Sequence, residues 1–246
     1  MRARHVLVGA GIAAAILSLP CIFYFTGAWI PNLPPQDEYP VRGIDVSHHQ
    51  GEIQWDKVAA SGIRFAYIKA TEGTTYDDLN FKANWDAAAT AHVARGAYHF
   101  YVLGAPGKEQ AAHFMAKVPV DPGTLPPAID IELSGANTGV DSIPQFQREL
   151  EEFTSAIAAH YGRQPVVYTS RGFRNRYLQS VALDSWWITD TFFTPPKFKE
   201  QPWQFWQYSG HARVAGIAGF VDADVFTGTE RDFQELLLKA GLTPAR

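Results

Sequence analysis

Short apolar segments typical of strands alternate with segments of helical periodicity along most of this chain. The strand-type segments are rich in β-branched and aromatic residues; they cover residues 43–47, 64–70, 94–101, 128–133, 165–168, 186–189, 205–208 and 223–226. Helical spacing of apolar residues predicts helices over 55–61, 79–92, 108–117, 142–161, 172–178 and 231–240. The clearest is 142–161, where Ile143, Phe146, Leu150, Phe153 and Ile157 share one face.

This alternation predicts an α/β fold. Strands separated by helices form parallel sheets with crossover connections, and eight such strands favour a closed barrel over an open sheet. The last strands lack clear helices between them, so we expect a barrel that is irregular on that side. The prediction is therefore a single-domain, irregular (β/α) barrel of the TIM-barrel type.

The N-terminus carries a different pattern. Val6 to Phe25 is almost entirely apolar and follows Arg2 and Arg4. About 20 residues at 1.5 Å each span roughly 30 Å, enough to cross a bilayer. An uncleaved anchor is favoured over a signal peptide cleaved near Thr26-Gly27-Ala28.

We therefore divide the chain into an anchor or signal segment at 1–28, a Pro-rich tether at 29–41 and one domain at 42–246. The domain is expected outside the cytoplasm, held at the membrane, or secreted if the N-terminal segment is cleaved.

Charge and cysteine content narrow the class of protein. The one cysteine, Cys21, lies in the apolar segment, so no intrachain disulfide is possible and the domain depends on core packing. Without Arg2 and Arg4, 19 of the 21 basic residues remain against 25 acidic ones, a net charge of −6. This balance does not favour nucleic-acid binding.

The tetrad Ile129-Asp130-Ile131-Glu132 is the strongest chemical signal. Alternation on a strand places Asp130 and Glu132 on one side and the isoleucines on the other. Repulsion between two neighbouring carboxylates raises one of their pKa values, which suits acid catalysis at a glycosidic bond. A metal-binding loop and a solvated strand end are the alternatives.

Other polar residues also lie near the C-terminal ends of predicted strands, where barrels of this type carry their chemistry. They include Asp45, Lys69, His99, Thr189 and Asp222. The candidate substrate-binding residues are Tyr67, Lys69, Tyr98, His99, Tyr168, Trp187, Gln207 and Tyr208. About half of the aromatic ones are expected to serve the core instead. His48 and His49, on an extended segment, would point to opposite faces, so no metal site is expected. Glu72 is interpreted as a structural turn residue.

Six short motifs in this order resemble the signature of glycoside hydrolase family 25, the Chalaropsis-type lysozymes. They are GIDVSHHQG at 43–51, KATEG at 69–73, GAYHFY at 96–101, DIE at 130–132, WQY at 206–208 and VD at 221–222. The resemblance covers residues 42 to about 240. It implies an irregular β/α barrel that hydrolyses the β-1,4 bond between N-acetylmuramic acid and N-acetylglucosamine in peptidoglycan.

By this resemblance Glu132 matches the general acid and Asp130 the second carboxylate. Asp45 and Asp222 match acids that shape the cleft's electrostatics and hold that pair. Asp224 stands where the family usually has asparagine; it shares a strand face with Asp222 and is expected to raise nearby pKa values. The stretch 186–190 also differs from the family pattern, which leaves substrate detail open.

Several alternatives stay open. Retaining, inverting and substrate-assisted mechanisms fit the pair, and the route that uses the substrate's 2-acetamido group is favoured. A non-cleaving glycan-binding protein is the second functional hypothesis, although all four acids are present. An amidase or peptidase lacks a zinc-ligand cluster or nucleophile pattern. We expect a monomer without cofactors that binds peptidoglycan strands and remodels wall close to the membrane.

Overall fold

The computed structural model describes residues 22–135, 137–179, 181, 183–196 and 203–238. Its strands are β1 (Arg42–Val46), β2 (Ile63–Glu72), β3 (Tyr76–Asp77), β4 (Ala94–Phe100), β5 (Ala128–Asp130), β6 (Val166–Ser170), β7 (Trp186–Thr189), β8 (Trp203–Ala212) and β9 (Val221–Phe226). Its helices are α1 (Trp55–Ala60), α2 (Phe81–Thr90), α3 (Gly107–Lys117), α4 (Ile143–Tyr161), α5 (Arg171–Tyr177) and α6 (Glu230–Leu238), with a 3₁₀ helix at His48–Gln50.

The strands close into a barrel, which confirms the predicted fold class. The order is β1-β9-β8-β7-β6-β5-β4-β2, and β1 pairs with β2 to complete the ring, while β3 lies outside it. The parallel pairs are β1–β2, β2–β4, β4–β5, β5–β6, β6–β7 and β7–β8. Strand β9 is antiparallel to both β8 and β1. The irregular side therefore lies at the end of the chain, as the missing helices predicted.

Each predicted strand exists, and most of them change at their ends. The largest extension is in β8, which covers Trp203–Ala212 rather than 205–208, and the largest shortening is in β5, which ends at Asp130 rather than at 133. Alternation nevertheless continues past the end of the strand, because the Ile131 amide donates to the Tyr168 carbonyl at 3.0 Å. Ile129 and Ile131 are fully buried. Asp130 and Glu132 therefore share the opposite side, as the period of two predicted.

Two apolar clusters hold the barrel together. The larger lies between the strands and the surrounding helices. The smaller fills the barrel interior with rings, including those of Phe65, Tyr67, Trp187 and Phe205, and Phe233 of α6 joins it. This filled interior closes the barrel below the strands' C-terminal ends, so a cleft can exist only above it.

The predicted anchor or signal segment lies mainly in residues 1–21, outside the described residues. Among the residues that are described, no helix is long and apolar enough to cross a membrane. The stretch predicted as a tether, 29–41, lies against the barrel. Tyr39 stacks on Trp203 with ring centroids 6.3 Å apart, and Asn32 Nδ2 donates to the Asp190 carbonyl at 3.0 Å.

Candidate active site

A polar cleft opens at the C-terminal ends of the parallel strands. Its volume is about 490 Å³. Four acidic residues predicted to be catalytic line it: Asp45, Asp130, Glu132 and Asp222. Five predicted substrate-binding residues line it as well: Lys69, Tyr98, Tyr168, Trp187 and Gln207. Residues from eight strands and the adjoining loops therefore meet at one site, and most of them lie near C-terminal strand ends as predicted. Asp222 differs from that prediction, because it lies at the N-terminal end of β9, which reaches the cleft by running antiparallel to its neighbours.

Asp130 and Glu132 lie on the same wall of this cleft but in different surroundings. Burial and the nearby charge of Glu132 raise the pKa of Asp130 well above its usual range, while Lys69 lowers it to a smaller extent. Asp130 Oδ1 is buried and accepts no hydrogen bond within the described chain. Glu132 Oε1 instead accepts from the Ser134 hydroxyl at 2.8 Å. An unpaired buried acceptor in a cleft is available to a substrate N–H or O–H group.

The Glu132 segment is held by a buried amide. Asn137 Nδ2 donates to the carbonyls of Tyr101 and Glu132 at 2.7 and 3.1 Å, and its Oδ1 accepts from the Leu103 amide at 2.7 Å. These bonds fix the backbone beyond the last residue of β5, and they hold Glu132 at the cleft.

Gln207 connects three strands to Asp45. Its Oε1 accepts from the hydroxyls of Tyr168 at 2.9 Å and Thr189 at 2.7 Å. Because two donors define this oxygen, the amide nitrogen must point the other way, and it donates to Asp45 Oδ2 at 2.9 Å. Gln207 thereby sets the orientation of the Asp45 carboxyl.

Three aspartates on β1 and β9 form a buried acidic cluster. Asp45 lies directly opposite Asp222 in the antiparallel pair, and Asp224 lies opposite Gly43. Burial and the charges of the two β9 aspartates raise the pKa of Asp45 well above its usual range. Burial and the charge of Glu132 raise the pKa of Asp222 to about 6. The prediction that Asp224 would raise nearby pKa values is confirmed, since it contributes at Asp45.

Asp224 itself lies below the cleft floor. It is fully buried, and its Oδ1 accepts from the Trp187 indole nitrogen at 2.8 Å. Its Oδ2 is buried and has no hydrogen-bond partner within the described chain, and burial raises the pKa of Asp224 well above the usual range. Burial and mutual repulsion thus favour protonated carboxyls in this cluster at pH values where solvated aspartates would have lost their protons.

Lys69 places a positive charge in the cleft from β2, the strand that pairs with β1. Its ammonium donates to Glu72 Oε2 at 2.6 Å and lies 4.9 Å from the centroid of the Phe100 ring. Lys69 thus pairs with Glu72 rather than with the four predicted acids. It still favours the ionised form of Asp130 through space.

Three predicted substrate-binding residues lie away from the cleft. Tyr67 faces the barrel interior below the cleft. Its ring stacks on that of Trp187 with centroids 4.7 Å apart, and its hydroxyl donates to the Pro126 carbonyl. His99 faces the outer helices, because it alternates with Tyr98 along β4. Tyr208 follows the inward-facing Gln207 and so packs outside, where the Arg42 guanidinium lies 5.7 Å from its ring centroid.

His99 is instead a neutral, structural histidine. Thr71 Oγ1 lies 2.8 Å from its Nδ1, and Gln110 Oε1 lies 3.2 Å from its Nε2. Burial lowers the pKa of His99 to about 3. This agrees with the interpretation of His99 as a hydrogen-bonded barrel residue and separates it from the chemistry.

Eight cleft residues were not predicted as site residues: Val46, Ser47, His49, Gln50, Glu72, Phe100, Ser134 and Gly135. Most belong to the GIDVSHHQG, KATEG and GAYHFY motifs, so proximity to those motifs was the available signal.

The histidine pair also differs from expectation. The 3₁₀ helix brings the His48 and His49 rings to a centroid distance of 4.0 Å instead of opposite faces, and His48 Nδ1 lies 2.8 Å from Asp78 Oδ2. Within the described residues, no group of three or more His, Cys, Asp or Glu side chains could hold a metal ion.

Comparison with known proteins agrees with this geometry. The sequence profile of "Glycosyl hydrolases family 25" matches residues 44–217. Lysozyme M1 of Streptomyces globisporus is 39% identical over 210 residues, which cover 80% of this chain and 71% of that protein. The fold is similar to that of the bacterial lysozyme from Streptomyces coelicolor, with a TM-score of 0.75, 36% identity and coverage of 81% of this chain and 98% of that one.

A family 25 glycosyl hydrolase from Bacillus anthracis is similar as well. Its TM-score is 0.76 at 30% identity, over 82% of this chain and 95% of that one. The family profile spans most of the barrel and includes Asp45, Lys69, Asp130 and Glu132. Sequence, fold and cleft thus agree, and the chain belongs to family 25 of the glycosyl hydrolases.

Proposed function

We propose that this glycoside hydrolase is an N-acetylmuramidase that cleaves the β-1,4 bond between N-acetylmuramic acid and N-acetylglucosamine in peptidoglycan. The observation that carries the proposal is the Asp130–Glu132 pair on one wall of the cleft, with Asp45 and Asp222 on the adjoining strands. Relatives named lysozymes support the substrate class. Retention of all four acids favours hydrolysis over the glycan-binding alternative.

Glu132 is the proposed general acid. It lies after the end of β5, where the Ser134 hydroxyl donates to one of its oxygens and orients it. Its proton passes to the glycosidic oxygen as the bond to the muramic acid C1 breaks. General-acid catalysis of this kind contributes about 10²–10⁴ in rate.

Asp130 is the proposed partner of the substrate's 2-acetamido group. In the substrate-assisted route the acetamido oxygen attacks C1 and forms a positively charged ring. Asp130 accepts a hydrogen bond from the acetamido N–H and stabilises that ring. Its unpaired buried oxygen supports this role. Burial favours a proton on Asp130. We infer that a bound glycan removes water from Glu132 and that this proton then moves from Asp130 to Glu132.

Reducing-end analysis of digested peptidoglycan tests the reaction. The full-length protein in detergent should generate new reducing N-acetylmuramic acid ends, and the first product should keep its anomeric configuration by NMR. New reducing N-acetylglucosamine ends would overturn the proposed bond. Inverted configuration would overturn the substrate-assisted route and leave the bond assignment intact.

Two matched variants test the roles of the pair. Glu132→Gln should lower kcat on peptidoglycan by about 10²–10⁴. It should lose much less on a dinitrophenyl glycoside of N-acetylmuramic acid, because that leaving group departs without a proton. Asp130→Asn should lose activity on both substrates. If Asp130→Asn instead kept its activity on the aryl glycoside while losing activity on peptidoglycan, the roles of the two residues would be reversed.

We also propose that the protein acts at the membrane, with its domain outside the cytoplasm. The basic start and the apolar run from Val6 to Phe25 support an anchor. A domain held there reaches only nearby wall, which suits local remodelling rather than bulk lysis. Recovery of the protein in the soluble fraction after cell fractionation would overturn this proposal.

A further inference from the structure

An exposed apolar surface lies at the junction of the N-terminal segment and the barrel. We define it as the aromatic patch, which comprises Ile22, Phe23, Phe25, Trp29, Leu33, Phe192 and Phe193. These side chains are between 48% and 67% exposed. The two chain segments meet where the Tyr24 ring stacks on Phe192 with centroids 5.8 Å apart. An exposed cluster of large apolar residues marks a surface that contacts another apolar phase.

The N-terminal part of the patch is attached to the barrel at a defined point. Residues 22–25 are helical, and this helix ends at Gly27, whose amide donates to Tyr24 while the Ala28 amide donates to Phe23. Gly27 has a φ of +72°, and a Cβ there would lie 2.4 Å from the His211 carbonyl oxygen. Arg213 Nε also donates to the Thr26 carbonyl at 3.0 Å. The helix end is therefore seated on the β8–β9 connection.

The patch lies at the same end of the barrel as the cleft. Phe192 and Phe193 follow β7 directly after its C-terminal residue Thr189, and Trp187 of the same strand lines the cleft. His211 lies four residues beyond Gln207 along β8. Because the C-terminal ends of parallel strands share one end of a barrel, patch and cleft face the same general direction.

The sequence before the patch identifies its occupant. The apolar run that starts at Val6 continues without a charged residue into Ile22–Phe25, and Trp29 follows within four residues. A run of about 20 apolar residues spans the hydrocarbon core, and Trp and Tyr concentrate where such segments leave it. The patch continues this pattern onto the loop after β7, which is far away in sequence. A lipid bilayer is therefore the phase that both segments contact.

We propose that the aromatic patch rests in the interfacial layer of the membrane that residues 6–25 enter. Trp29, Phe192 and Phe193 contact the boundary between headgroups and acyl chains, and the exposed Arg213 lies where it can meet lipid phosphates. Two separate segments in contact with the bilayer restrict rotation of the barrel about its anchor. The cleft is thereby held close to the membrane surface.

Site-directed quenching tests this arrangement in the full-length protein. Cys21→Ser removes the one cysteine, and a single cysteine is then introduced as Phe193→Cys or as Val120→Cys and labelled with nitrobenzoxadiazole. Val120 is the matched control, since it is 59% exposed and lies in the loop before β5, at the opposite end of the barrel. Vesicles of phosphatidylethanolamine and phosphatidylglycerol carry a nitroxide on the lipid headgroup.

We expect strong quenching and a blue-shifted emission for the label at 193, and emission close to that in lipid-free buffer for the label at 120. Equal quenching at both positions would overturn the proposal, because the barrel would then rotate freely. Failure of the protein to bind vesicles would overturn it too. Concentration-dependent self-quenching at 193 without lipid would assign the patch to a second copy of the chain. Activity on free glycan fragments is measured separately, so that a failure here does not bear on the proposed muramidase.

Discussion

A single buried carboxyl, Asp224, affects protonation at the cleft floor, since it contributes to the raised pKa of Asp45. Asp224 Oδ1 accepts the Trp187 indole N–H, while its Oδ2 is buried without a hydrogen-bond partner in the described chain. An ionised Asp224 would place an unpaired buried charge beside Asp45, so this carboxyl holds its proton more strongly than a solvated aspartate does.

We expect Asp224→Asn to stabilise the protein near neutral pH. The amide oxygen can still accept from Trp187, and the uncharged side chain removes one of the charges that raise the pKa of Asp45. Tm should rise by about 2–4 °C, which corresponds to about 1 kcal/mol in a domain of this size. Differential scanning fluorimetry measures the change, and the surface variant Asp184→Asn should show none.

Asp224→Ala provides the contrasting result. It leaves the Trp187 N–H buried without an acceptor, which costs about 1–3 kcal/mol. Equal destabilisation by the Asn and Ala variants would contradict the proposed hydrogen-bond arrangement.

At the scale of elements, buried polar bridges join the sheet to its helices. Gln110 of α3 is fully buried. Its Oε1 accepts from the Val102 amide at 2.8 Å, and its Nε2 donates to the carbonyls of Val102 and Ala105 at 3.2 Å. Its Oε1 also lies 3.2 Å from Nε2 of His99 on β4. Gln110 thus fixes the loop that leaves β4, beside the strand that carries Tyr98 and Phe100 into the cleft.

We expect Gln110→Ala to destabilise the protein by about 2–4 kcal/mol, because several buried backbone groups and His99 lose their partner. Urea denaturation at neutral pH measures the loss. The control is Lys108→Ala on the exposed side of the same helix, which should change stability by less than about 0.5 kcal/mol. Similar values for the two variants would show that water replaces the Gln110 bonds without cost.

At the scale of the whole molecule, the cleft acids couple stability to pH. The pKa values of Asp45, Asp130 and Asp224 are raised well above their usual range, and the pKa of Asp222 rises to about 6. A carboxyl whose pKa is higher in the folded than in the unfolded protein stabilises the fold fully at pH values below its unfolded-state pKa near 4. This contribution is lost as the pH rises through its folded-state pKa. His99, whose pKa is lowered to about 3, acts in the opposite sense as pH falls below about 6.5.

Because four carboxyls oppose one histidine, we expect a higher free energy of unfolding near pH 5.5 than near pH 7.5. Urea denaturation at the two pH values measures the difference, and Asp224→Asn should reduce it. A stability that rises steadily from about pH 5.5 to about pH 7.5 would show that the cleft acids are ionised in the folded protein.

Local patterns predicted the barrel and much of its site. Strand alternation and strand-end polarity depend only on neighbours in sequence, so Asp130, Glu132 and Gln207 were predicted to lie at the cleft without knowledge of any contact. The same period of two placed Ile129 and Ile131 in the core. Closure into eight strands also followed from the number of segments, since each βα unit makes its own crossover.

Depth and long-range packing were decided only by the tertiary structure. Tyr67 and Trp187 both face inward, but the stagger of β2 against β7 determines that only Trp187 reaches the cleft. Glu72, interpreted from the sequence as a turn residue, lines the cleft and pairs there with Lys69. The N-terminal segment lies on the barrel through Gly27 and Asn32, contacts that join residues more than 150 positions apart. The sequence by itself determined which face each residue takes, because that depends on backbone geometry; the tertiary structure decided what the face meets, because that depends on how distant strands are staggered and closed.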